Sequence, residues 1–342
     1  MKSSAIKPRP RSVTASDVAR RAGVSRSAVS RAFTPEASIH PETREQVLTV
    51  ARELGYRPNA LARSLVKSKQ GPSSGLIAVV MGEFDNPFQP HFFSQLTQAL
   101  QAQGRVAMLV MPDAQGSLDD ALERLIAYQV EGAIIAAGSL SPEATNAFLA
   151  LGTPAVLLGR EDPRGRVSAI LTDNRAVGER AADYLLSQHR KAPAFIGGRA
   201  DGQASRERQQ GFIDRLEKAG LTTPPCLSNP DYSYASGYRA AQQLLRDHPD
   251  TDALFCACDA LALGAMDALR AAGKTCPEQF SLIGCDDVPQ AAWPGYQLTT
   301  LAQPVQQLVN QALDHLITSI ASQRTDAPEV LRLAPEFVQR LS

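Results

Sequence analysis

The stretch TASDVARRAGVSRSAVSRAF, Thr14 to Phe33, reads as two short helices joined by a tight turn. Thr14 can cap the first helix, and Asp17 three positions on can close a capping box at its positive end. Val18, Ala19 and Ala22 then fall on one face at helical spacing. Gly23 supplies a residue able to take positive φ and turn the chain. Ser25 restarts it as the next N-cap, and Val29, Ala32 and Phe33 form the buried side of the second helix. The opposite side carries Arg26, Ser27, Ser30 and Arg31, short or cationic groups suited to base edges and phosphates. This is the layout of a helix-turn-helix whose second helix enters a major groove.

Working outward, Pro41 sits in the first turn of a third helix that continues as TREQVLTVARELG. Val47, Val50, Ala51 and Leu54 make its inner face, and Gly55 ends it. Beyond Pro58, Asn59 can cap a short segment, ALARSLVK, too short to be helical in water unless it docks. Leu65, flanked by Arg63 and Lys67, then reads either as an apolar wedge for a minor-groove base step or as an incidental residue of a flexible linker. Residues 1–11, rich in prolines and cations, read as a disordered tail.

The 342 residues carry 35 Lys or Arg and 35 Asp or Glu, but unevenly. Residues 1–70 hold 14 basic against 5 acidic side chains, a balance of +9; the remainder holds 21 against 30, or −9. A basic head on an acidic body fits a nucleic-acid contact joined to a self-shielding body. No apolar run approaches the roughly 18 residues of a membrane span, and MKSSAIKPRPRS lacks the apolar core of a secretory signal. The odd count of five cysteines points to a reducing cytoplasm. The five histidines are scattered and no G-x-S-x-G occurs, so neither a metal site, a cofactor nor a catalytic constellation is expected.

Composition changes at Gly71-Pro72-Ser73-Ser74-Gly75. Beyond it, strand-like runs (LIAVVM, RVAMLVM, GAIIAA, PAVLLG, SAILT, PAFIGG, ALFCAC, FSLIGC) alternate with amphipathic helical windows, including LDDALERLIAYQ and PEATNAFLALG. That rhythm predicts parallel sheets covered by helices, and about 260 residues suit two similar lobes. Ligands of such sheets bind beyond the carboxyl ends of the strands. The candidates there are Asp85, Asn86 and Phe88; Arg160 and Glu161 after Gly159; Arg208 one turn into the helix after GGRADG; Cys258 and Asp259; Cys285, Asp286 and Asp287; and Trp293 on the following loop. An arginine, carboxylates and aromatic faces around a cleft suit a small polyhydroxylated or anionic ligand. GGRADG lacks the ending of a phosphate-binding loop and reads as a strand-to-loop turn.

The head sequence, TASDVARRAGVSRSAVSRAF followed by TREQVLTVARELGYRPNALARSL, closely resembles the headpiece of the LacI/GalR family of bacterial transcription repressors, and the likeness extends more loosely to near the end of the chain. The resemblance implies a small all-α helix-turn-helix head plus an α/β two-lobed, periplasmic-binding-protein-like effector domain built on two doubly wound parallel sheets. It implies a DNA-contacting set of Thr14, Ser25, Arg26, Ser27, Ser30 and Arg31, with Asn59, Ala62 and Leu65 at the minor groove. Arg208 in SRERQQGF and Asp286 in GCDDVP match effector-binding positions. His40 stands where the family often has a capping serine, and Cys258 where it usually has asparagine. A thiol cannot supply the paired donor and acceptor of an amide, so a hexose held in the ordinary way is not expected. The implied domains are a headpiece over 12–58, a hinge over 59–74, one lobe from 75–171 and 301–328, and a second from 172–300 and 329–342. The implied partners are double-stranded operator DNA, a small-molecule effector and a second copy in a homodimer, with no membrane. A solute-binding protein with a secondary head and a sugar-metabolising α/β enzyme stand as alternatives.

Overall fold

The computed structural model describes residues 13–34, 37–57, 74–82, 84–111, 125, 127–136, 150, 152–322 and 327–342. The tail over 1–11, the hinge with Asn59, Ala62 and Leu65, and most of the helices expected over 118–129 and 142–152 lie outside the described residues. The chain divides into two units, Met1–Ser74 and Gly75–Ser342.

Among the described residues the first unit contains three helices, α1 (Ala15–Ala22), α2 (Arg26–Ala32) and α3 (Pro41–Leu54). The capping box forms: the Asp17 amide donates to Thr14 Oγ1 (3.3 Å), and the Thr14 amide donates to Asp17 Oδ2 (3.0 Å). Gly23 takes φ 66°, the left-handed value that ends α1, and Ser25 Oγ accepts from the Ala28 amide to open α2. Val18, Ala19, Ala22, Val29, Ala32, Val47 and Ala51 make the core, and the half-buried Phe33 meets Tyr56 edge-on at 5.8 Å. Two long side chains of α3 finish the bundle. Arg44 donates to the carbonyls of Ala32, Thr34 and Ala37 (2.8–2.9 Å), and Gln46 donates to that of Ala22 (3.1 Å). The carbonyls at the ends of α1 and α2 are thus satisfied from a third helix.

The second unit contains two six-stranded sheets. The first comprises β1 (Leu76–Val80), β2 (Val106–Val110), β3 (Gly132–Ile135), β4 (Ala155–Leu158), β5 (Ala169–Thr172) and β11 (Val330–Leu333), all parallel, in the order β11-β5-β4-β3-β1-β2. The second comprises β6 (Pro193–Ile196), β7 (Cys226–Leu227), β8 (Ala253–Cys256), β9 (Ser281–Asp286), β10 (Thr299–Ala302) and β12 (Glu336–Val338), in the order β12-β10-β9-β8-β6-β7. Among the described residues only β12 is antiparallel to its neighbour there. The inner strands β3, β6 and β8 are apolar and buried along their whole length because both faces are covered, as parallel sheets require.

Helices α4 (Phe88–Ala102) and α9 (Val305–Ser322) pack on the first sheet through Phe92, Leu96, Leu100, Leu308, Leu313 and Leu316. Helices α5 (Asn174–Ser187), α6 (Gln203–Lys218), α7 (Tyr234–Asp247) and α8 (Asp259–Ala271) cover the second. Their pairs touch through glycine. A Cβ on Gly178 of α5 would stand 2.0 Å from the Arg208 carbonyl oxygen, and one on Gly211 of α6 2.2 Å from that of Arg175. Gly237 and Gly264 repeat the device between α7 and α8.

The chain passes between the sheets three times, and each crossing differs from the sequence expectation. Thr172 still belongs to β5, so the first crossing follows it. All of β10, through Ala302, lies in the second sheet, so the second crossing falls at 303–304, not before residue 301. β11 lies in the first sheet, so residues 329–333 do not belong to the second lobe and the third crossing is at 334–335. Backbone pairing decides the last case: the Ala169 amide donates to the Glu329 carbonyl at 2.8 Å and the Asp173 amide to the Leu333 carbonyl at 2.7 Å.

Candidate functional site: a helix-turn-helix face and an inter-lobe cleft

In the first unit, Ser25, Arg26, Ser27 and Arg31 are exposed on α2 or at its cap. The Ser25 and Ser27 hydroxyls lie 2.8 Å apart, so either is free to turn its remaining lone pair or proton outward. Ser30 is half-buried and its carbonyl accepts from the Thr34 hydroxyl. Thr14 is exposed, but its hydroxyl donates to Asp17 Oδ2 at 2.6 Å, so it serves the cap first. The reading surface expected on this helix therefore centres on Arg26, Ser27 and Arg31. Asn59, Ala62 and Leu65 lie outside the described residues.

In the second unit the centre is Arg208, placed by α6 and only 5 % exposed. Its Nε donates to Asn174 Oδ1 at 2.9 Å, its Nη1 donates to the Ala257 carbonyl, and Nη1 stands 3.8 Å from Asp286 Oδ1. Burial works against the guanidinium's charge, but the Cys285 thiol and Asp286 beside it outweigh that and raise its pKa. Asp286 ends β9 and turns into the loop with φ 132°, followed by Asp287 at φ 56°. Two successive non-glycine residues in left-handed space are strained, and such strain persists where the surroundings hold it. The surroundings here are Arg340, which donates to Asp287 Oδ1 (2.7 Å), and the buried Asp259 at the start of α8. Asp259 accepts from Thr300 Oγ1 (2.6 Å) and from the Val288 amide (3.0 Å), tying the loop to α8 and β10.

Asp286 meets the rest of the cleft through both lobes. Its Oδ1 accepts from Gln303 Nε2 at 2.6 Å, and Gln303 Oε1 accepts from Thr172 Oγ1 at 2.8 Å, so two crossings are bonded to the site. Burial pushes the Asp286 carboxyl pKa up, against the opposing pull of Arg208, Gln303 and Asn86. Although the Asn86 amide lies close enough to stabilise this carboxylate, Oδ2 is buried and, among the described residues, has no partner in hydrogen-bonding geometry. Burial likewise pushes the Asp259 carboxyl up, with Asp286 adding to it.

The sequence candidates thus divide. Asn86, Arg208, Cys258 and Asp286 converge, and Phe88, which opens α4, packs against the cores of both sheets. Cys258 caps α8 and its thiol donates to the Tyr232 carbonyl at 3.8 Å. Arg160 is partly buried, and desolvation lowers its pKa against the pull of Asp162. Asp85 is exposed, and Trp293 is 53 % exposed on the turn after the short 3-10 helix Pro289–Ala292. Glu161 is engaged elsewhere, as an ion pair with Arg332. The glycines of GGRADG are a turn as expected, and the Tyr232 ring fills it: a Cβ on Gly198 would stand 2.2 Å from that ring. Asn174, Gln303 and Tyr232 were not among the candidates. Asn174 opens α5 directly after a strand, where such a residue reads as a cap. Gln303 shows no pattern at all until the crossing is known.

Comparison with known proteins agrees with this geometry. Residues 14–59 match the family described as bacterial regulatory proteins, lacI family, and residues 182–342 match a periplasmic binding protein-like domain. The HTH-type transcriptional regulator CelR of Thermobifida fusca is 32 % identical over 330 residues, 93 % of this chain and 95 % of that protein. The HTH-type transcriptional repressor PurR of Erwinia tasmaniensis is 30 % identical, with 96 % of each chain covered. Among solved structures, the lac repressor dimer bound to operator and the anti-inducer ONPF is similar with a TM-score of 0.84 at 25 % identity, covering 96 % of this chain and 98 % of that one. A CelR–cellobiose complex is similar with a TM-score of 0.73 at 28 % identity, covering 96 % and 99 %. These relatives are transcriptional regulators, not enzymes. Among the described residues no helix is long and apolar enough to cross a membrane. With a basic helix-turn-helix near its start and a two-sheet body that matches a periplasmic binding protein-like domain over 182–342, the chain belongs to the lacI family of bacterial regulatory proteins.

Proposed function

We propose that this protein is a cytoplasmic, homodimeric repressor whose affinity for a pseudo-palindromic operator is set by a small neutral or acidic sugar-type metabolite bound between the lobes. Arg26 and Ser27, at the start of α2, read base edges, and Arg31 farther along the same helix grips the duplex. The observation that carries the ligand reading is Asp286 Oδ2, a buried carboxylate oxygen that no group among the described residues meets in hydrogen-bonding geometry, beside a buried arginine. Such an atom is costly to leave unsatisfied, and a hydroxyl entering the cleft would donate to it. Asn86 and Phe88 of one lobe and Arg208 and Asp286 of the other would then share one ligand, which favours the closed arrangement over the open one. Cellobiose in the CelR complex is in keeping with a sugar of this kind.

The experiment is selection of genomic fragments by the full chain, with and without a panel of sugars, sugar acids and sugar phosphates, repeated with two variants. Arg31→Ala is expected to lower fragment affinity at least tenfold while leaving the thermal shift produced by the active metabolite intact. Arg208→Lys is expected to do the reverse. A chain that prefers no genomic fragment to random DNA under any condition would overturn the reading.

A further inference from the structure

Apart from the Asp286–Gln303–Thr172 chain, the lobes are also joined by a ring of partly exposed charged and polar groups that the ligand reading does not use. Arg332, on β11 of the first sheet, pairs with Glu161, on the loop after β4 of the same lobe. Its Nη1 also reaches Glu207 Oε2 of α6, in the second lobe, at 3.3 Å. Gln203, one turn before Glu207 on the same helix, donates from Nε2 to Glu207 Oε1 (2.8 Å) and accepts the Glu161 amide proton at Oε1 (3.1 Å). The four residues close a circuit, Arg332–Glu207–Gln203–Glu161–Arg332, in which two of the four links cross from one lobe to the other.

We propose that this circuit is an electrostatic latch: Arg332 holds the α6 end of the second lobe against the first, and releasing it lets the lobes part. Three features support a releasable device over permanent packing. The side chains of Arg332, Glu161 and Glu207 are 38 %, 27 % and 26 % exposed, so water and salt reach the pairs. One guanidinium serves two carboxylates, so the two lobes compete for a single cation. Glu207 also immediately precedes Arg208, so whatever frees α6 from Arg332 acts on the helix that places the cleft arginine. By contrast, Arg105 with Glu131, within the first lobe, is much less exposed and ties β-sheet loops of one body. The latch goes beyond the effector reading and is independent of it, since it is formed by the protein's own groups alone.

The test is hydrogen–deuterium exchange on the full chain with nothing added but salt, following the segment containing the Glu161 amide. Arg332→Gln and Glu207→Gln are each expected to speed exchange there by roughly threefold to tenfold at low salt, with Arg332→Lys in between. Raising NaCl to 1 M should bring the parent up to the rate of Arg332→Gln and leave that variant unchanged. The amides of Ala169 and Asp173, which bond to β11, report whether that strand stays in place. Should Arg332→Gln loosen those as well, Glu207→Gln, which lies on α6 away from the strand, decides alone. Parent-like exchange at Glu161 in Glu207→Gln, or an equal response to salt in parent and Arg332→Gln, overturns the latch.

Discussion

At the scale of single residues, the head shows how far local chemistry reaches. The Thr14–Asp17 box and the Gly23 turn were legible because each involves groups three or four positions apart, whose geometry the helix itself sets. His40 tests the same logic by its failure. It stands at the N-cap of α3 with φ −61° and ψ 134°, the right backbone for a cap, but its side chain makes no capping bond. His40→Ser supplies the missing acceptor, and we expect it to stabilise the chain's first unit by about 1 kcal/mol, measured as a higher urea midpoint. Arg44 and Gln46 could not have been read in this way. The carbonyls they satisfy are 7 to 24 residues distant in sequence, and nothing in a helical period points to them.

At the scale of elements, glycine pairs set the spacing of the helices that carry the cleft. Gly178 and Gly211 let α5 and α6 approach until backbone meets backbone, and Arg208 lies in that contact, one turn before Gly211 and beside Asn174 of the neighbouring helix. Gly211→Ala places a methyl group 2.2 Å from the Arg175 carbonyl oxygen, which the helices can accommodate only by moving apart. We expect a loss of about 2–3 kcal/mol in chemical denaturation and, because Arg208 moves with α6, a weaker metabolite-induced thermal shift. Gly237→Ala crowds α7 against the Leu261 carbonyl in the same way and should cost similar stability, but it leaves the α5–α6 contact in place. Strand existence was readable from apolar runs; strand membership was not. β11 has only four residues, three of them exposed, so its pattern gives no reason to prefer one sheet to the other. Its hydrogen bonds to β5 made the choice.

At the scale of the whole molecule, the buried charges of the body come from distant parts of the chain: Asp259 from the start of α8, Asp286 from the end of β9 and Arg208 from α6. Both carboxyl pKa values are raised, Asp286 mainly by burial. A raised folded-state pKa means that the protonated form favours the fold. The contribution is complete below the unfolded value of about 3.9 and is lost as pH climbs through the folded values. Asp162 behaves oppositely: the Arg166 hydrogen bond holds its pKa at about 2, so its contribution is lost only in stronger acid, outside that window. Asp286→Asn removes one of the two raised carboxyls. Its stability deficit relative to the parent should therefore narrow by about 1–2 kcal/mol between pH 4 and pH 8, as read by denaturation at each pH. A deficit that widens over that range would contradict the assignment.

The amino-acid sequence by itself determined the helix-turn-helix, the split of charge between a basic head and an acidic body, and the alternation that makes parallel sheets. Each of these rests on spacing of a few residues or on composition, and such information survives without a fold. It also pointed to Asp286 at the carboxyl end of a strand and to Arg208 in the helix that follows another, because that end of a parallel sheet is where loops collect. Tertiary structure alone decided which sheet receives the last strands, that Glu161 faces Arg332, and that Gln303 bonds the cleft to a crossing. Those contacts join segments up to 171 residues apart, and only the closing of the chain between two sheets brings them within hydrogen-bond reach.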